Sequence, residues 1–363
     1  MNGNRAVRSL SYTEIAAALT CHARWDFAYG GRLAGSCLRR RQIAAALSDG
    51  RAWGAAVAAW HAFQGHDGLE SAYDVALAQH EAYQALHASY LADIREQQEA
   101  GLTVGPDYEV DKLDRLGGML DHYMATADKL PNLTLLEGRF EVPLRSRSGR
   151  QRSTKYHLEG FIDGYTVLDE NENEWIVEFK LRNSLTSRKQ LDLDRQHLWY
   201  AWARSQTTGR PVIGVILEER LNDAPRAAER AIQSRSAART VYRASERKTE
   251  MTTEESYLAL CEELGHEPNP EKLAALRARR WQQRVPILLR PGQLEEAGEE
   301  LVSAGMLIGD LDSGRRYPIR NAQRHICSGC RFSDICANPT DELYVESLFE
   351  RVPPKRERLA NPA

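Results

Sequence analysis

Residues 157–200, HLEGFIDGYTVLDENENEWIVEFKLRNSLTSRKQLDLDRQHLWY, constrain this chain most, because two apolar runs each deliver an acidic residue and a helical segment follows. In the second run Glu178 and Lys180 stand two apart, so in an extended chain both side chains leave one face while Phe179 points to the other. A carboxylate and an ammonium thus share one space. Asp163 lies near the end of the first run. The loop Asp169, Glu170, Asn171, Glu172, Asn173 and Glu174 is the polar, turn-forming kind that joins antiparallel strands, and a hairpin would set Asp163 beside Glu178. Gln196 and Tyr200 stand one helical turn apart on the segment that follows. By itself an acid followed by E-x-K is a weak signal, since Glu and Lys alternate on the solvent face of many strands.

Around this stretch, residues 9–20 begin with Ser and Thr as caps and run on as an apolar helix, with Cys21 at its end. Residues 69–99 and 108–129 carry apolar side chains at helical spacing on either side of a Gly/Pro break at 101–106. Strand signals occupy 133–144, 155–168, 174–181 and 212–217; a further strand is expected at 287–289 and a further helix at 293–311. The charged segment 220–282 reads as helical. The order helix, three strands, helix, strand predicts an α+β fold.

A net charge of -3 gives the whole chain no pull on a polyanion, so any nucleic-acid contact needs local patches. Two basic runs qualify, Arg139, Arg145, Arg147, Arg150, Arg152 and Lys155 before the acidic core, and Arg220, Arg226, Arg230, Arg235, Arg239, Arg243, Arg247 and Lys248 after it. Both also read as solvated surface. No G-x-x-x-x-G-K-[ST] sequence occurs, so no P-loop motor is encoded. Neither an apolar stretch of membrane-spanning length nor a secretory cleavage pattern is present, which points to a cytoplasmic protein with no membrane partner.

Six cysteines remain, and three crowd into CSGCRFSDIC as Cys327, Cys330 and Cys336. In a reducing compartment a C-x2-C-x5-C cluster argues for metal rather than disulfides. Zinc ribbons use two C-x-x-C knuckles, whereas here there is one, and the fourth ligand must come from afar. Zinc, another metal and unligated thiols all stay open on spacing alone. Cys37 and Cys261 fit no such spacing.

Gly160-Phe161-Ile162-Asp163, Glu178-Phe179-Lys180 and Gln196-x-x-x-Tyr200 resemble successive motifs of the RecB/AddB-type nucleases of the PD-(D/E)xK superfamily, with Ile162 where the superfamily's name has Pro. One Cys before such a core and three after it, spaced as here, is similar to the iron–sulfur members, among them the AddB nuclease domain, the CRISPR-associated adaptation exonucleases and phage exonucleases. The resemblance implies a restriction-endonuclease-like mixed β-sheet flanked by helices, with helical insertions and a C-terminal iron–sulfur-binding segment. It implies a [4Fe-4S] cluster on Cys21, Cys327, Cys330 and Cys336, and Mg2+ or Mn2+ held by Asp163, Glu178 and the main-chain carbonyl of Phe179. Asp163, Glu178, Lys180, Gln196 and Tyr200 would be the catalytic residues.

Relatives usually carry a metal-binding His four residues after a helical Gly. Here that position, counted from Gly50, is Gly54, and His61 lies two turns further along the same face as the candidate in its place. The resemblance implies one elaborated nuclease domain over 1–363: a helical region with the first cluster cysteine at 1–130, a nuclease core at 131–219, a helical and basic insertion at 220–310, and the cysteine segment and tail at 311–363. The implied activity is a DNA exonuclease working from single-stranded ends in recombination, repair or phage DNA metabolism, with a separate helicase or recombination protein as a partner. The competing reading is a non-catalytic iron–sulfur protein that binds nucleic acid through a degenerate nuclease fold, and Gly54 is its main support.

Overall fold

A computed structural model describes residues 7–40, 45–64, 72–99, 106–128, 130, 132–135, 139–145, 152–168, 173–225 and 252–355. In chain order the elements up to the acidic core are β1 (Arg8–Ser11), α1 (Tyr12–Thr20), α2 (His22–Trp25), a π-helical turn at Asp26–Gly30, β2 (Cys37–Arg40), α3 (Ala45–Gln64), α4 (Ala72–Glu99) and α5 (Pro106–Thr126). The core follows as β3 (Thr134–Leu135), β4 (Arg139–Arg145), β5 (Arg152–Phe161), β6 (Gly164–Val167), β7 (Glu174–Arg182), α6 (Arg188–Leu191), α7 (Arg195–Thr208) and β8 (Val212–Leu221). After it come α8 (Glu254–Leu264), α9 (Pro270–Ala278), β9 (Gln282–Leu288), α10 (Gln293–Asp312), the short helices α11 (Arg324–Cys327) and α12 (Ser333–Cys336), α13 (Glu342–Leu348) and β10 (Phe349–Val352).

The main sheet has the order β3-β6-β7-β8-β9, with β7 and β8 parallel and the other pairs antiparallel. Strand alternation sends Val177 and Phe179 to one face, where they join the core built by α3, α4 and α5. It sends Ile176 to the other face, beneath Tyr200 and Ala201 of α7. A second sheet, β1-β5-β4, packs Leu10, Val142, Leu144 and Leu158 against α7 and α10. The fold is thus α+β with a mixed sheet between helical layers. Among the described residues no helix is long and apolar enough to cross a membrane.

The runs 133–144 and 155–168, each expected as one strand, both break in two. Thr134 pairs with Tyr165 in the main sheet, whereas Arg139 pairs with Phe161 in the small one, so one long hairpin bends and serves two sheets. Ile162 and Asp163 form the bend. Ile162 is buried under α7, and the Asp163 carboxylate accepts the Phe179 backbone N–H at 2.7 Å, taking the place a ladder carbonyl would have. The helix expected over 9–20 also starts later: Arg8–Ser11 pairs in parallel with β5, and Ser11 caps α1 by accepting from the Glu14 N–H at 3.3 Å.

Within the charged segment, β8 runs on to Leu221 and the two helices α8 and α9 lead into β9, which pairs along the whole outer half of β8. The expected strand at 287–289 is therefore longer and begins at Gln282. The basic run from Arg226 to Lys248 lies outside the described residues, as do Arg147 and Arg150.

Candidate active site and cysteine patch

Three local devices converge on one spot of the main sheet. The β6–β7 register, Gly164 against Val177, carries Asp163 directly opposite Glu178. The Lys180 ammonium donates to Glu178 Oε2 at 2.7 Å. Helix α7 is set over this pair at both ends: Asp194 caps it by accepting from the Gln196 N–H at 2.9 Å, and Arg204 donates to both oxygens of buried Glu174 at 2.8 and 3.1 Å. Gln196 and Tyr200 then face the carboxylates, with their side chains hydrogen-bonded to each other. Gly160 makes this approach possible, since a Cβ there would stand 2.8 Å from the Phe140 ring and 2.9 Å from Tyr200.

Two carboxylates meet in the site, and Glu178 is buried at its centre. Burial pushes the Glu178 carboxyl up to about 7, against the pull of Lys180. Burial likewise raises Asp163, although Lys180 and the Phe179 N–H favour its charged form. Burial works against the Lys180 ammonium, but Glu178 and Asp163 outweigh it and its pKa rises. Tyr200 is pushed up to about 12, chiefly by burial and then by Glu178, so it keeps its proton. Glu178 Oε1 is buried and has no hydrogen-bond partner. A buried carboxylate oxygen left bare, beside a second carboxylate and with a single cation on the far oxygen, suits a hard divalent cation bound through oxygen.

His61 does not join these groups. Its ring lies on the opposite face of β7, parallel to the Phe179 ring (10°) with centroids 5.6 Å apart, and its Nε2 shares a 2.8 Å hydrogen bond with the Tyr123 hydroxyl. The helical spacing from Gly54 was legible; the face α3 presents to the sheet was not. Glu141, one strand earlier, lies on the small sheet, where it accepts from Ser9 at 2.5 Å and meets His157 across the strands at 3.0 Å. Of the described basic residues, Arg139 is paired with Glu159, and Arg220 is fully buried over the Trp281 ring, so neither is a free surface cation.

Sequence reading missed Glu219. This fully buried carboxylate accepts from Arg182 Nε (3.1 Å), the Thr186 N–H (2.8 Å) and hydroxyl (2.7 Å), and Gln283 Nε2 (2.7 Å). Those donors overcome its burial and lower its pKa. Glu219 pins the loop that leads from Lys180 into α6 and α7. The available signal was an acidic pair, Glu218-Glu219, at the end of an apolar run, the same signature that marked Glu178.

The four spaced cysteines share one patch. Cys21 ends α1, and its Sγ accepts the Asn321 N–H at 3.3 Å, while the Cys327 thiol lies 3.8 Å from the Asn321 carbonyl. The Cys336 thiol is raised by burial, lowered by Arg320, and raised again by Cys21 and Cys330. Phe27, Phe332, Ile335, Val345 and Phe349 form the small core beneath them. Cys37 and Cys261 are buried. As the side chains stand, no three His, Cys, Asp or Glu among the described residues are set to hold one metal ion.

Compared with known proteins, residues 9–337 match the family model of the PD-(D/E)XK nuclease superfamily. That span takes in the bent hairpin, the E-x-K strand, α7 and all four spaced cysteines. Among curated proteins, none matches the chain.

Proposed function

The chain belongs to the PD-(D/E)XK nuclease superfamily, and on that footing we propose that it is a metal-dependent DNA exonuclease working from single-stranded ends. The observation that carries the reading is the trio Asp163, Glu178 and Lys180 gathered under α7, with one buried Glu178 oxygen unsatisfied. Asp163 and Glu178, with the Phe179 carbonyl, would hold Mg2+ or Mn2+, which supplies Lewis acidity and makes water a nucleophile at neutral pH. Lys180 keeps its proton and offers a fixed positive charge to the phosphate as negative charge develops on it. Gln196 and the protonated Tyr200 present donors to the strand beside the scissile bond.

The preference for an unpaired strand draws on Phe161. Two residues before Asp163, it is 63% exposed, whereas Phe27, Phe179, Phe332 and Phe349 are all buried. The ring stands at the end of β5, just before the bend that carries Asp163, where an unpaired base would stack on it while its phosphate reaches the carboxylates. Base–aromatic stacking is worth about 1–3 kcal/mol. Phe161→Ala is therefore expected to raise KM for single-stranded DNA about tenfold with kcat nearly unchanged. Equal KM values would remove this support.

The four gathered cysteines support a [4Fe-4S] cluster as a structural staple, since four thiolates drawn from both ends of the chain suit such a cluster. A separate helicase or recombination partner would supply its single strands, in recombination, repair or phage DNA metabolism. The second reading, a non-catalytic binding protein, is favoured by one observation: Gly54 stands where a ligating His is expected, and His61 lies behind the strand. End-labelled single-stranded DNA with Mg2+ or Mn2+ separates the two. Wild type should release nucleotides, and Asp163→Ala and Lys180→Ala should each lose about a hundredfold or more. A wild type that binds DNA and releases nothing would sink the enzyme reading.

A further inference from the structure

His61 lies across β7 from the carboxylates, yet its ring stacks on the residue that stands beside Glu178 and whose backbone N–H holds Asp163. Phe179 stands between Glu178 and Lys180, and its backbone N–H holds Asp163 Oδ2 at 2.7 Å. Its side chain leaves the strand on the far face and lies flat against the His61 imidazole. That imidazole is itself held: Nε2 bonds the Tyr123 hydroxyl at 2.8 Å, and Tyr123 is hydrogen-bonded to Glu218, which Arg284 grips at 2.5 Å. Since the Tyr123 proton goes to the Glu218 carboxylate, the hydroxyl receives the Nε2–H of His61, which fixes the tautomer and the ring plane. Arg284 is tied in turn to the Asp128 carbonyl at 2.8 Å. The chain from Arg284 to His61 thus joins β9, β8, α5 and α3 into a rigid backing for one phenylalanine.

From this we infer that His61 is a positioning residue that sets the metal site from behind the strand, acting through Phe179. It fixes the Phe179 ring, hence the rotation of the peptides on either side, hence both the N–H that orients Asp163 and the carbonyl assigned above as a ligand. The inference rests on the metal-site reading of Asp163, Glu178 and Phe179. It gives the histidine of this chain a part that needs no bond to the metal, which is what its place across the sheet requires.

A ligand and a backing group respond differently to loss of nitrogen. Mn2+ binding to the DNA-free protein, followed by electron paramagnetic resonance, is compared for wild type, His61→Ala, His61→Phe and Tyr123→Phe, with melting temperatures taken alongside. His61→Ala should weaken Mn2+ binding about tenfold, in the range found for groups that orient metal ligands. His61→Phe keeps a flat ring against Phe179 and should stay within about threefold of wild type. Tyr123→Phe, which frees the ring to tilt, should fall between the two. His61→Phe as weak as His61→Ala at an unchanged melting temperature would make the imidazole a ligand and overturn the inference. So would Mn2+ affinity that His61→Ala leaves unchanged. Wild type that binds no Mn2+ at all would overturn the metal-site reading, and this inference with it.

Discussion

Glu178→Gln is expected to abolish cleavage and, in the metal-free protein at pH 8, to raise stability. The two effects share one cause. Glu178 is buried, and its carboxyl ionises at about 7 in the folded chain against an ordinary value of 4.5. Between those values the native state holds the extra proton, so stability falls as pH rises. The contribution of the protonated group is full below about pH 4.5 and gone above about 7, a difference of roughly 3 kcal/mol. Glutamine keeps the shape without the charge, so the variant should lose this pH dependence and match or exceed wild type at pH 8.

The opposing effect is the loss of a partner for Lys180. Breaking a buried ion pair costs about 3–5 kcal/mol when it strands a charge in a dry place. Here it does not win, for two reasons. Lys180 is 23% exposed and keeps the charge of Asp163 nearby. The attraction of Lys180 is, moreover, already included in the raised Glu178 value, so the fold disfavours the Glu178 charge even with its partner in place. A divalent cation reverses the sign by making the charged form the bound form. Mn2+ at a hundred times its Kd should stabilise wild type at pH 8 by about 2.7 kcal/mol and the variant hardly at all. Urea unfolding at pH 5 and pH 8, with EDTA and with Mn2+, reads all four quantities. A Gln variant that keeps the wild-type pH slope would show that another group carries it.

The sequence exposed the parts of the site that obey a period. Glu178 and Lys180 two apart on a strand, and Gln196 and Tyr200 four apart on a helix, each share a face by local geometry, and the structure sets both pairs together. What stayed hidden depends on contacts between distant segments. Nothing in GFIDGYTV marks a change of sheet, because a bend sealed by an Asp163 side chain looks, residue by residue, like continuous strand. The four-residue strand Arg8–Ser11 is too short to show alternation, and its pairing with β5 comes from tertiary packing. The position of His61 on the helix was readable, but which face of the sheet α3 would cover was not, and that decides whether an imidazole meets the carboxylates or their backing. Glu219 was hidden for the same reason, since its four donors come from β7, the following loop and β9.

Cys21→Ser should produce the other large effect, on the ends of the chain rather than on its centre. The proposed cluster would sit over a core of few side chains, Phe27, Phe332, Ile335, Val345 and Phe349 among them, where residues near both termini meet. Protein contacts already stitch that meeting: Ala23 N–H to the Ile319 carbonyl at 3.2 Å, Asn321 Nδ2 to the Thr20 carbonyl at 2.9 Å, and β2 against β10. Further in, Lys355 bonds buried Glu14 at 2.7 Å. These contacts join the two segments around the thiols, and the binding free energy of the proposed cluster would add to them. Losing one ligand should bleach a brown protein and lower its melting temperature by on the order of 10 °C. Faster hydrogen exchange should be confined to residues 21–40 and 319–352, leaving β7 and α7 protected. Cys261→Ser, at a buried thiol of α8 packed against α9 and far from the patch in sequence, should keep the colour. A wild type that is colourless with stoichiometric zinc would replace iron by zinc, and exchange that quickens equally in β7 would mean that the cysteine patch supports the nuclease sheet itself.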